Sequence, residues 1–112
     1  MHEKNVEIGY LLDFYGSLLP ERSQDILDMY YNSDMSLSEI SDELGITRQG
    51  VRETVRRAGN ALLTYEEKLG MASKFRIISN TVDLIEEEAD RSNSNNSEIK
   101  RLAELIRSEI TD

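Results

Sequence analysis

The chain contains no cysteine and no tryptophan, and it has one proline and one histidine. Without cysteine there is no disulfide, thiolate metal site or thiol nucleophile, and a lone imidazole at His2 leaves no partner for a zinc site or a catalytic triad. The sequence also lacks a glycine-rich phosphate loop and a nucleophile beside a base, so no enzyme, no resident metal and no cofactor are expected. No apolar run approaches the ~20 residues that span a bilayer, and no signal-peptide pattern opens the chain. The expectation is a cytoplasmic protein with no membrane insertion, small enough at 112 residues for one domain with an extension.

What is present is charge and helical periodicity. The net charge is −9, which disfavours indiscriminate binding to nucleic acid. Its distribution is uneven: residues 1–47 carry two basic and ten acidic side chains, residues 48–76 seven and three, and residues 77–112 four and nine. The positive charge therefore lies in one short segment.

The spacing of apolar residues predicts an all-α protein. Tyr10, Leu11, Phe14 and Leu18, widened by Leu12 and Tyr15, predict a core helix over Val6 to Leu19. Pro20 and Glu21 suit the first turn of a second helix that buries Ile26, Leu27, Tyr30 and Tyr31. Ser36 and Glu39 have the spacing of a capping box, which starts a third helix from Leu37 to Leu44, with Leu37, Ile40 and Leu44 inward and Gly45 as its stop. Thr47 is a suitable N-cap for a fourth helix, with Val51, Val55, Leu62, Tyr65 and Leu69 inward and Gly70 at its end. Phe75, Ile78, Val82, Ile85 and Ala89 form a short coiled-coil-like stripe in a fifth. RSNSNNS, Arg91 to Ser97, reads as a flexible linker. Ile99, Leu102, Ala103, Ile106 and Ile110 make a final amphipathic helix within Glu98 to Ile110.

Leu37 to Leu62 fits a helix-turn-helix. Small Ser41 lets the two helices approach, Gly45 supplies the left-handed turn residue, Ile46 plugs the turn and Val51 anchors the second helix. Thr47, Arg48, Gln49, Arg52, Glu53 and Arg56 then fall on the outward, groove-facing side. Arginine bonds guanine bidentately, glutamine bonds adenine, and glutamate accepts from cytosine, while Arg57, Ser36 and Ser38 are placed to hold the backbone. The same pattern is also compatible with a helical core under a solvated arginine face.

DFYGSLL (Asp13 to Leu19), MYYNSDMSLSEIS (Met29 to Ser41), GITRQ (Gly45 to Gln49) and TYEEKLG (Thr64 to Gly70) closely resemble the YlxM-like (p13-like) helix-turn-helix family, itself similar to the promoter-reading C-terminal domain of sigma factors. The resemblance covers about residues 6 to 76 and implies a tetrahelical helix-turn-helix without a wing, followed by a C-terminal helical extension. It implies duplex DNA as a partner. Because such proteins are typically encoded beside the signal recognition particle GTPases, it also implies a part in that pathway, either as a regulator or as an accessory factor binding its protein or RNA. The chain departs from the family pattern at Gly50, Arg52 and Arg56-Arg57.

These readings divide the chain into a helix-turn-helix domain over 1–70, a dimerisation extension over 71–90, a linker over 91–97 and a terminal helix over 98–112. The Phe75, Ile78, Val82, Ile85 and Ala89 stripe is expected to pair two chains as a homodimer, with packing back onto Tyr10, Phe14 and Tyr15 as the alternative. Asp83, Glu86, Glu87, Glu88 and Asp90 form an acidic cluster in which helical spacing brings Asp83, Glu86, Glu87 and Asp90 near one another, as a divalent-cation site or a cover for the Arg48 to Arg57 stripe would need, but a solvated face is expected. The five tyrosines are expected to pack in the core rather than stack on RNA bases.

Overall fold

A computed structural model describes residues 4–91 and 95–111, and among them every regular element is helical. Six α-helices run in order: α1 Val6–Tyr15, α2 Glu21–Tyr31, α3 Leu37–Leu44, α4 Arg48–Leu69, α5 Met71–Ala89 and α6 Asn96–Thr111. Cα packing divides the chain into two units, one ending at Gly70 and one beginning at Met71. None of the described helices is long and apolar enough to cross a membrane.

In the first unit, α1, α2 and α3 all pack on α4. Asn5 starts α1 by accepting from Glu7 N at 2.9 Å, satisfying one of the orphan donors of a helix start. The helix stops at Tyr15 and tightens into a 3-10 turn over Gly16–Leu18. That change of pitch alters the predicted stripe: Leu11, Leu12, Tyr15 and Leu19 are buried, Tyr10 and Phe14 are half-buried, and Leu18 is turned outward. Tyr15 is anchored at its far end, donating to Glu66 Oε1 at 2.6 Å. Pro20 is the N-cap of α2 rather than its first residue. Its missing N–H costs nothing there.

Gly59, in the middle of α4, is explained by proximity to α1. A Cβ at that position would stand 3.2 Å from Ile8 Cδ1 and 3.6 Å from its Cγ2, so glycine leaves room for the Ile8 side chain to lie against α4. Leu69, predicted inward, is half exposed.

Lys4 ties the start of the chain to the end of α2 and to the turn that follows it. Its ammonium donates to Met35 O at 2.9 Å, to Asp34 Oδ1 at 3.1 Å and to Tyr30 O, and lies 4.1 Å from the Tyr30 ring centroid. The carbonyls at a helix C-terminus need such donors. Asp34 beside it takes a positive φ of 52°, a conformation that aspartate tolerates better than most residues. Burial, followed by repulsion from Tyr30, raises the Tyr31 hydroxyl above its ordinary pKa.

In the second unit α5 packs on α6. Two expectations are corrected here. The predicted linker is shorter than RSNSNNS, because α6 already begins at Asn96 and Asn95 caps it, accepting from Glu98 N at 3.1 Å; Ser92, Asn93 and Ser94 lie outside the described residues. The acidic cluster is not uniformly solvated either. Glu88 is buried, accepts from Asn95 N at 2.9 Å and pairs with Arg91 Nη1 at 3.1 Å, so it fastens the chain between α5 and α6. No group of three or more potential ligands among the described residues is arranged to hold a metal ion.

Candidate nucleic-acid interface

The groove-facing candidates stand on a frame set by local signals. Ser36 Oγ accepts from Glu39 N at 3.0 Å while Glu39 Oε1 accepts from Ser36 N at 2.9 Å, a complete capping box at the start of α3. The Ser36 backbone N–H, followed by the Ser36 hydroxyl, holds the Glu39 carboxyl below its ordinary pKa. At the other end, Gly45 has φ 67° and ψ 31°, where a Cβ would be strained. Its N–H and that of Ile46 both donate to Ser41 O, at 2.9 and 3.3 Å. Ser41 Oγ returns a bond to Ile46 O at 2.5 Å. Ser41 is thus more than a small spacer: it ties both sides of the turn.

Thr47 then starts α4, accepting from Gly50 N at 3.0 Å. Beneath the turn Ile26, Ile40 and Val51 form a buried cluster, with Met29, Tyr30, Met35, Leu37, Leu44, Ile46 and Val55 packed against it. Ile40 and Val51 are fully enclosed, so the two helices are clamped from inside and the outer face of α4 is fixed by its register.

On that face Thr47, Arg48, Gln49, Arg52, Arg56 and Arg57 are exposed, with Glu53 at the edge of exposure. Ser36 and Ser38, one helix away, are also exposed. Arg48, Arg52 and Arg56 follow one another at four-residue spacing, the step that stacks side chains along one side of a helix. Arg56 pairs with Glu53: Nη2 donates to Oε1 at 2.5 Å and Nε to Oε2 at 3.2 Å. The bond from Arg56 lowers the Glu53 pKa and raises that of Arg56. The i,i+3 spacing of the two residues makes this pair legible in the sequence, although spacing alone does not show which of the neighbouring arginines is engaged.

The predicted dimerisation residues do not form one free stripe. Ile78 and Ile85 are half-buried, in helical register with buried Thr81 and Glu88, which is the side of α5 that meets α6. Phe75, Val82 and Ala89 remain exposed on the adjoining side. Two of the five predicted seam residues are thus partly covered.

Comparison with known proteins agrees with this architecture. The family described as "Putative helix-turn-helix protein, YlxM / p13 like" matches residues 2–103, reaching well past the motifs that carry the resemblance. The UPF0122 protein of Desulforamulus reducens is 51% identical over 69 residues, 62% of this chain and 59% of that protein, so that match spans less than two thirds of the relative. A UPF0122 protein of Thermoanaerobacter pseudethanolicus is 42% identical over 104 residues, covering 91% of this chain and 89% of its own. One from Bacillus cereus is 37% identical over 110 residues, covering 95% and 96%. With the turn, the clamped core and these relatives together, the chain belongs to the YlxM/p13-like helix-turn-helix family.

Proposed function

We propose that the protein is a cytoplasmic regulator that lays the Thr47 to Arg57 face of α4 in the major groove of duplex DNA. The observation that carries this is the exposed ladder of Arg48, Arg52 and Arg56, with Gln49 and Arg57 beside it, on the second helix of a rigid helix-turn-helix. Arg48, Gln49, Arg52 and Arg56 contact bases or phosphates, and Arg57, Ser36 and Ser38 hold the backbone. The test is binding of fluorescent duplex pools to the wild type and to Arg48→Ala/Arg52→Ala at two salt concentrations. Affinity should fall with salt at a slope of about 0.9 per neutralised phosphate, and the double variant should lose both affinity and slope.

A few arginines give one chain only a few phosphate contacts, and two chains acting together double them. We propose that pairing uses the exposed side of α5, Phe75, Val82 and Ala89, with Ile78 and Ile85 at its edge. A monomeric mass in multi-angle light scattering at micromolar concentration would exclude it.

The net charge of −9 supports a second reading, in which the same scaffold serves the signal recognition particle by binding its protein or RNA. Retained binding to that RNA or protein, with no duplex binding, would select it.

A further inference from the structure

Among residues 48–65 Glu53 is the single acidic side chain, set between Arg52 and Arg56 on the face assigned to DNA. A carboxylate there works against affinity for any phosphate backbone. Glu53 also engages Arg56 through both of its oxygens, a fork geometry that occupies two of the five guanidinium donors and cancels one positive charge. An i,i+3 pair of the same form, Glu98 with Arg101 at 3.0 and 2.5 Å, sits on α6. The geometry itself is therefore an ordinary helix-surface arrangement. What distinguishes the first pair is its place on the arginine ladder.

We propose, resting on the groove-reading role above, that Glu53 is the specificity gate of this face. On DNA of arbitrary sequence it keeps Arg56 paired and withholds one phosphate contact. Opposite a base that presents an exocyclic amino group in the major groove, Glu53 accepts from that group and releases Arg56 to the backbone. Cytosine N4 and adenine N6 are the hydrogen-bond donors on the major-groove base edges, whereas guanine O6 and N7 and thymine O4 are acceptors that a carboxylate meets with repulsion. Glu53 thus converts a sequence-blind charge contact into one that depends on a cytosine or adenine at a single position.

The experiment uses the full chain, a randomised duplex pool, and the wild type, Glu53→Gln, Glu53→Ala and Glu98→Gln. Fluorescence anisotropy across a salt series measures affinity, and sequencing of the bound fraction measures base preference. Both Glu53 variants should bind the random pool more tightly by roughly severalfold, with a salt slope steeper by about 0.9. Their preference for the amino-bearing base at one position should fall by about five- to a hundredfold. Glu98→Gln should match the wild type in all three readouts. Unchanged slope and preference in Glu53→Gln, with wild-type helicity by circular dichroism, would overturn the gate while leaving DNA binding in place. A wild type that binds no duplex at all would overturn the groove-reading role and the gate with it.

Discussion

The two units use the same helical vocabulary and bury very different things. All of the largest fully enclosed side chains, Tyr15, Leu11, Ile26, Leu27, Ile40, Leu62 and Val51, lie before Gly70. After it the buried set is Ala72, Thr81, Glu88 and Leu102, while Phe75, Ile77, Val82, Leu84, Leu105 and Ile110 stay exposed. Four helices can enclose a core, whereas a two-helix hairpin has a line of contact and two open flanks. The contrast separates a first unit with an enclosed core from a second that keeps much of its large apolar surface exposed.

Paired core truncations test that contrast most strongly. Ile40→Ala should destabilise the first unit by about 2–5 kcal/mol in urea unfolding, the range for deleting a fully buried aliphatic side chain. Leu102→Ala should instead raise amide hydrogen exchange in α5 and α6 and leave α1 to α4 protected. Equal deprotection of both units by either variant would show that they unfold as one.

A finer comparison sets two glycines of the same turn region against each other. Gly45→Ala should cost about 1–2 kcal/mol, because its backbone is left-handed. Gly50→Ala should change stability by less than about 1 kcal/mol: the helical preference of alanine is opposed by a contact of 3.2 Å with Thr47 Oγ1. A large loss at Gly50 and none at Gly45 in thermal unfolding would reverse the assignment of which glycine the turn requires.

A further comparison concerns the caps. Ser36→Ala should cost about 1 kcal/mol. Since Glu39 has a lowered pKa in the folded chain, its contribution is present above the ordinary carboxylate range and is lost as pH falls through its own lowered value. Glu39→Gln should flatten that part of the pH–stability profile in denaturant titrations. An unaltered profile would remove the capping box as its source.

Much of this was legible because the signals are local. Ser36 with Glu39, Gly45, Thr47 and Gly70 place the ends of α3 and α4 at the residues observed, since each cap is made within a few residues of where it is read. The four-residue arginine spacing likewise predicts which side chains α4 exposes. What escaped depends on distance along the chain. Lys4 serves carbonyls 26 and 31 residues away, and nothing in its own neighbourhood announces it. Glu88 looked like one acid among five until α6 folded back and Asn95 offered it an amide. The outward turn of Leu18 follows from a tightening at Gly16 that period counting does not register.

The contact between Gly59 and Ile8 reaches beyond this chain. Because the end of the Ile8 side chain lies against the place that a Cβ on residue 59 would take, the two positions share a single volume. A relative with alanine or serine at the place of Gly59 has a readily available compensation in a shorter aliphatic residue at the place of Ile8, and one that keeps isoleucine needs the end of that side chain to give by a few tenths of an ångström. In the evolutionary record of the family, these two sites should change as a pair.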